Sequence, residues 1–399
     1  MRKRRHRSLP KHPFEIKQLK SRAIKSYLFK WLSILTIFFA LSFLFIFISN
    51  ILYKGMSAFN QTYIQVPVNI TPYAVTTNPR VAIQRDHRKL VSRTWVRNLP
   101  QMVKETPTLL NTHEEMWILA DDEVDQYIKG KNTKLSSKDR AIIDKLKAQK
   151  KVDLRFNIIF FTHGDSKMPE YAGFLSAIKG TIMMVFVTMM VSFPIGVMTA
   201  IYLEEFADDS RVTQIIEINI NNLASVPPIL FGLLGLAVFI NVMGVPRSSA
   251  LVGGLTLGLM TLPIIIVSTR TALRSVPNAI REAGFALGLN KFQVVWGNVL
   301  PLAIPGIMTG SIVSLAHAIG ETSPLLLVGM ITFIPDSPSF VTDATTVMSA
   351  QIYTWASMPQ GAYIERTSAA ILILLGVMMI LNMIAIMIRS RFSKRYNYE

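Results

Sequence analysis

None of the 399 residues is a cysteine, which excludes disulfides, thiolate metal sites and cysteine nucleophiles together. No Gly-x-x-x-x-Gly-Lys-Ser/Thr occurs either, so the chain has no phosphate-cradling loop and no ATPase site of its own. Histidine is scarce at six residues, and His87, His113 and His163 stand apart from one another rather than at ligand spacing. Acidic residues are few as well: 25 Asp and Glu against 42 Lys and Arg leave a formal charge of +17. That balance could signal nucleic acid, but the cations sit at the ends of apolar segments rather than along a groove-sized face. An anionic membrane leaflet is the partner this placement implies, with no nucleic acid.

What is present in quantity is apolar sequence. Half of the residues are hydrophobic and the mean hydropathy is +0.36. Six runs are long enough to cross a hydrocarbon core of about 30 Å, which takes about 20 helical residues. They are Trp31–Leu52, Ile182–Tyr202, Ile218–Ile240, Leu251–Val267, Ala303–Phe333 and Ala369–Ile388. Only the fifth contains an ionisable Asp, Glu, Lys or Arg, namely Glu321. The dense basic segment from Arg2 to Lys30 places the N-terminus in the cytoplasm. Six crossings return the C-terminus to the same side, in agreement with Arg389, Arg391, Lys394 and Arg395. The first run is longer than a signal-peptide core and lacks a small-residue cleavage site, so it reads as an uncleaved anchor. One loop is discordant: Leu203–Thr213 falls inside yet carries Glu204, Glu205, Asp208 and Asp209 with only Arg211. Acidic residues weigh little in orientation, and the topology stands. The methionines, 20 in all, suit packing in apolar helices better than metal handling.

Between the first two runs, residues 54–171 have ordinary soluble composition and read as a small α+β extracytoplasmic domain. Ile64, Val66, Val68 and Ile70 alternate as a strand, placed at a sheet edge because Pro67 cannot donate. Val152, Leu154, Phe156, Ile158 and Phe160 alternate as a second strand. Ser136 opens a helix to about Gln149, with capping spacing to Asp139. No motif in this domain points to chemistry.

Residues 268–301 join the fourth and fifth runs in a loop carrying Arg270, Arg274, Arg281 and Lys291. Ser275-Val276-Pro277-Asn278 is a helix start and Gly288 a helix stop. At helical spacing Ile280, Ala283, Gly284 and Leu287 share a face, and the small Ala283 and Gly284 would admit a partner surface close to the backbone. Leu300-Pro301 then begins the next span. Taken alone, an amphipathic loop helix lying on a membrane surface is a second reading, and a less favoured one.

In the fifth run Gly310, Ser314, His317 and Glu321 fall on one helix face, with His317 one turn before Glu321 and within pairing reach. A mid-bilayer carboxylate costs at least about 2.5 kcal/mol, so Glu321 faces a polar path or a cation; a buried lock to a cation on a partner chain is the other reading. Gly320 and Pro324 bracket it and break the helix. Ser314 and Thr322 could donate hydrogen bonds to an anion, although intramembrane hydroxyls more often bond back to their own helix.

Arg281-Glu282-Ala283-Gly284-Phe285-Ala286-Leu287-Gly288, followed after nine residues by Asn298-Val299-Leu300-Pro301, resembles the EAA loop of ABC importer permeases. In that family the loop forms a coupling helix docked into a groove of the ATPase. The resemblance implies that Arg281, Glu282, Ala283, Gly284 and Gly288 belong to such a helix. Two positions depart from the pattern: Gly284 where a second alanine is usual, and Asn298 where isoleucine is usual. Gly180-Thr181 with Pro194-x-Gly196 and Ala200-Ile201-Tyr202-Leu203-Glu204-Glu205, then Asn222-Leu223-Ala224-Ser225-Val226-Pro227, then Gly320-Glu321-Thr322-Ser323-Pro324-Leu325-Leu326 resemble the permeases of phosphate-specific ABC importers, the PstA family. The likeness covers roughly residues 172–390.

The resemblance implies an all-α membrane protein, a type I ABC importer permease with six transmembrane helices, plus the inserted α+β domain. It divides the chain into a basic N-terminus (1–30), a first helix (31–53), the insert (54–171), a permease core (172–390) and a tail (391–399). It further implies a PstC-like partner permease, a PstB-like ATPase dimer holding ATP and Mg, and a PstS-like binding protein, with no cofactor on this chain. Phosphate would be the cargo, with sulfate or molybdate as the nearest alternatives. A secondary transporter lacks support from internal repeats, and a membrane sensor leaves the coupling loop unexplained.

Overall fold

The computed structural model describes residues 13–396. The basic residues Arg2, Lys3, Arg4, Arg5, Arg7 and Lys11, and the extreme C-terminus from 397, lie outside the described residues. The chain divides into two compact units, Met1–Tyr53 and Lys54–Glu399. The first is mostly helix α1 (Pro13–Met56); with the 3-10 turn that follows it, α1 contributes to a membrane-competent stretch, Ile24–Phe59, that exceeds the expected Trp31–Leu52 at both ends.

The second unit opens with the insert. Its strands are β1 (Asn60–Asn69), β2 (His113–Leu119) and β3 (Val152–Phe156), in the antiparallel order β2-β1-β3. Its helices are α2 (Pro72–Thr76), α3 (Arg93–Glu105), α4 (Asp122–Ile128), α5 (Ser137–Ala148) and α6 (Ile158–Thr162). The alternation in β1 works as expected: Ile64, Val66, Val68 and Ile70 all point into one core. Helix α3 covers that core with Trp95, Leu99 and Val103, one residue per turn on its buried stripe. Helix α5 adds Ile143 and Leu146 and starts where Ser136 accepts the Asp139 amide at 3.2 Å.

Two expectations for this domain fail. β1 is the central strand, not an edge. Pro67 is tolerated because β3 pairs only Asn60–Ile64, so the missing donor of Pro67 falls beyond the end of β3. The second alternating run holds as strand only through Phe156. Asn157 then caps a helix, its side chain accepting the Phe160 amide at 3.0 Å, and Ile158 and Phe160 become helical.

The remainder is a helical bundle: α7 (Leu175–Ile201), α8 (Arg211–Ala224), α9 (Pro228–Leu234), α10 (Ala250–Arg274), α11 (Asn278–Ala286), α12 (Lys291–Val294), α13 (Leu300–Gly320), α14 (Ser323–Leu327), α15 (Met348–Ala356) and α16 (Gly361–Tyr396). π-helical turns follow α7 (Tyr202–Phe206) and α9 (Gly235–Val242) and join α12 to α13 (Val295–Val299). Five helical stretches among the described residues are long and apolar enough to cross a membrane, or six if one bent pair is a single span. Helices α7 and α10 pack through small residues: a Cβ on Gly254 would lie 2.5 Å from Val187 Cβ, and one on Gly196 2.8 Å from Ile265 Cγ2.

The expected third and fifth spans are not single straight helices. Ile218–Ile240 is broken at Ser225–Pro227 into limbs that turn by 104°. Pro228 forces Pro227 into an extended conformation (ψ 134°) that helix cannot continue. The fifth span begins at Lys291 rather than Ala303, because Asn290 and Gln293 form a reciprocal capping box. Leu300-Pro301 therefore lies within the helix instead of opening it. The same span ends at Gly320, with Glu321 extended (φ −81°, ψ 125°) and Ser323–Leu327 a separate short helix.

The insert is fastened to the start of α16. Glu365, 2 % exposed, takes a hydrogen bond from Gln126 at 2.8 Å and pairs with Lys129 at 3.2 Å and with Lys131. Lys129 also reaches Asp125 at 2.6 Å, whose carboxylate accepts the Thr62 hydroxyl at 2.7 Å. An aromatic group of Phe160, Phe174, Trp355 and Tyr363 fills the space beside this lock.

Candidate functional site

Two places hold the residues singled out from the sequence. The first is the end of the bundle formed by α7, α10 and α11. Helix α11 occupies Asn278–Ala286 with Pro277 just ahead of it, and it ends in a Schellman turn. Gly288 adopts φ +80°, its amide bonds Phe285 O at 2.9 Å, and the Leu289 amide bonds Gly284 O at 3.2 Å.

The faces of α11 are not distributed as the spacing suggested. Gly284 is buried and Ile280 half-buried, whereas Ala283 and Leu287 are exposed beside Glu282 and Phe285. A Cβ on Gly284 would come within 2.8 Å of Val294 Cγ2 and 3.0 Å of Asn298 Nδ2. So the small residue at 284 serves packing inside the chain rather than close approach of a partner. The two departures from the EAA pattern, Gly284 and Asn298, are neighbours in space. A smaller residue on the helix faces an amide in place of an apolar side chain.

Arg281 fastens α11 to the rest. Its guanidinium meets Glu205 in a fork, Nε to Oε2 at 3.2 Å and Nη2 to Oε1 at 2.5 Å. It also donates to the carbonyls of Val276 at 2.8 Å and Leu273 at 3.0 Å, which end the preceding helix. The adjacent Glu204 takes Arg270 at 3.1 Å and Arg274 at 2.8 Å, and Arg270 reaches Glu217 on α8 at 2.5 Å. Two of the four acids in the loop that looked discordant, Glu204 and Glu205, are thus paired with arginines of the neighbouring segment. The π turn of Tyr202–Phe206 projects both glutamates toward them. The arginines that meet Glu204 and Glu205 lie 66 to 76 residues away in the chain, beyond the reach of local spacing.

The second place is the break after α13. Gly310 packs against α10, where a Cβ would meet Ser268 at 2.4 Å. Ser314 is buried, and its hydroxyl has no hydrogen-bond partner among the described residues; the neighbouring Ser311 bonds back to Ile307 O at 2.9 Å. His317 is exposed and does not pair with Glu321. The helix ends between them, so the expected ladder of four residues on one face is interrupted. Glu321 accepts the Ser323 hydroxyl, and no cation among the described residues lies within ion-pair distance. Thr322 begins α14 without capping it by its side chain. The broken spans meet here, since a Cβ on Gly232 of α9 would lie 2.7 Å from Pro324 Cα. Among the described residues no group of His, Asp and Glu is arranged to hold a metal ion.

A polytopic bundle whose spans break around unpaired polar groups, with an amphipathic helix tethered at one end, defines a membrane transport component. Residues 192–398 match the model of the binding-protein-dependent transport system inner membrane component, and the chain belongs to that family. It is a multi-pass inner-membrane permease of an ABC transporter, not an enzyme, and such a transporter implies an ATPase and a binding protein as partners. Residues 16–86 and 75–138 match a domain of unknown function (DUF3333). The chain is 32% identical over 230 residues to the phosphate transport system permease protein PstA 1 of Mycobacterium tuberculosis, covering 57% of this chain and 75% of that one. Against PstA of Haemophilus influenzae it is 33% identical over 174 residues, covering 44% and 61%. Among solved structures, the MetNI methionine ABC transporter aligns with a TM-score of 0.42 at 16% identity, covering 54% of this chain and 93% of that one.

Proposed function

We propose that this chain is one transmembrane subunit of an ATP-driven importer of inorganic phosphate, a type I permease paired with a PstC-like subunit. A PstB-like ATPase dimer holds ATP and Mg, and a PstS-like protein delivers the anion. Both termini lie in the cytoplasm, and the insert lies outside. The observation that carries the coupling part is the presentation of α11: Glu282, Ala283 and Leu287 face outward on a helix whose opposite side is bolted through Arg281 to Glu205. A partner pushing on that face moves α7 and α10 together, and so drives alternating access. The cargo rests on similarity to permeases named for phosphate transport.

In this reading Ser314, His317, Glu321 and Thr322 line or gate the path. Glu321 is paired during part of the cycle with an arginine of the partner permease, which is released to the anion. His317 is set aside as that cation because the chain break separates the two. Labelled-phosphate uptake tests both parts, in cells lacking their own high-affinity system and expressing the chain with its partner subunits. Uptake that resists excess sulfate and collapses in Glu282→Ala supports the reading. Uptake that survives the substitution removes α11 as the ATPase dock, and uptake of sulfate in place of phosphate removes the cargo.

A further inference from the structure

The insert contains a cavity of about 940 Å³ walled by Arg80, Arg88, Lys89, Arg93, Arg97 and Lys134. Among the described residues none of the six forms an ion pair, although the same domain pairs Lys129, Lys131, Lys138 and Lys151. Arg88 spends only its Nε, on Ile83 O at 2.9 Å, and leaves its two terminal amino groups free of carboxylates. Six like charges around one concavity repel one another, and an anion bound among them would relieve that repulsion.

Three acids share the wall, Asp121, Glu123 and Asp139, and each spends one oxygen on a hydrogen bond within the domain rather than on a cationic side chain. Asp121 accepts the Glu123 amide at 3.3 Å, Glu123 the Lys134 amide at 2.7 Å, and Asp139 the Ser136 hydroxyl at 2.7 Å. Burial, with Asp122 and Glu170 nearby, also raises the Asp121 carboxyl far above its ordinary range, so it is a weak anion at neutral pH. The cavity is therefore strongly electropositive. Arg93, at the first turn of the 13-residue α3, adds the positive end of that helix to the same wall.

We propose that this cavity binds a polyanion bearing several phosphate-type groups, such as an oligophosphate chain or a phosphorylated head group. A single small oxyanion would leave most of the volume and most of the cations unused, because ligand pockets of about 300–1,000 Å³ suit molecules of drug size. Arginine forks recognise such oxygens bidentately. The inference concerns the insert alone and stands apart from the translocation reading, so failure of one leaves the other intact.

The test is calorimetric titration of the purified full-length chain with sodium tripolyphosphate at low ionic strength. We expect saturable binding, weakened about tenfold or more in Arg93→Glu/Arg97→Glu and unaffected in Lys145→Glu/Lys147→Glu, which alters the net charge equally but lies off the cavity. The milder pair Arg80→Gln/Lys89→Gln weakens binding as well and guards against a folding defect in the reversal. Competition by vesicles of cardiolipin, whose head group carries more than one phosphate, but not by phosphatidylcholine vesicles would make the source a lipid head group; its absence would make it a soluble polyanion. Equal weakening in the two reversal variants, or no tripolyphosphate binding by the unaltered chain, overturns the proposal. The latter would also be the result if the cavity docks an acidic protein surface.

Discussion

The carboxylates at the two functional regions of the bundle are treated in opposite ways. At the α7–α10–α11 end, Glu204 and Glu205 are each met by arginine, and Glu205 is nearly buried beneath a bidentate fork. At the break after α13, Glu321 has a serine hydroxyl and, among the described residues, no cation. A pair that is complete within the chain holds elements in register. A carboxylate left without a cation among half-buried groups is available to something outside the chain.

The comparison can be broken most severely at Arg281. Arg281→Ala strands the nearly buried Glu205 and should cost about 3 kcal/mol, read as a drop in the detergent melting temperature together with loss of ATPase association. The exchange Arg281→Glu/Glu205→Arg should recover part of both, which a merely tolerated surface pair would not do. A second complete pairing sharpens the rule away from the coupling end. Glu365→Gln weakens the lock between the insert and α16 by about 2 kcal/mol, with faster proteolysis of the insert as the readout. At Glu321 the account predicts the reverse pattern. Glu321→Gln keeps an acceptor for Ser323 and should change stability by no more than about 0.5 kcal/mol, with the melting temperature nearly unmoved, while uptake falls.

The smallest effect belongs to Asp121, a half-buried carboxyl with no cation paired to it among the described residues. Its folded pKa is pushed up to about 8, by burial first and then by Asp122 and Glu170. The folded state therefore holds a proton that the unfolded chain releases near pH 4. Stability from this group is lost as pH rises from about 4 toward 8, and is flat above that. Asp121→Asn keeps a helix-capping acceptor and removes the penalty. Its melting temperature should exceed that of the unaltered chain by more at pH 8 than at pH 5.5. An equal gain at both pH values would mean that the carboxyl is not protonated in the fold.

Much of this was legible in the residues, and the failures are instructive. The apolar runs marked the helices because hydrophobic length is a property of a single segment. Gly288 ended α11 as foreseen because its left-handed backbone is a local requirement. The broken third span was legible too, in Pro227-Pro228, but the apolar count across it outweighed the backbone signal. The early start of the fifth span was written in Asn290-x-x-Gln293 and was overlooked in favour of Leu300-Pro301. The faces of α11 were misread because Ala283 and Gly284 look alike in a helical projection. Only the position of Val294 and Asn298 decides which of them is inside. The ion network was beyond reach, since nothing in Glu204-Glu205 specifies which distant arginines the fold delivers. Strand β2 was missed for a related reason: His113-Glu114-Glu115 begins it, and only the stretch from Met116 faces inward.

Coupling as proposed requires α11 to turn its Gly284 side to its own chain and its Ala283 side to an ATPase. The absence of any native cysteine makes the direct measurement clean. Ala283→Cys is labelled with a maleimide in the isolated permease and again in the complex with the ATPase, with Asn132→Cys in the insert as a reference. The account predicts that Cys at 283 reacts as an exposed thiol in the first case and is protected in the second, while the reference is unchanged. Equal labelling of position 283 with and without the ATPase would contradict it.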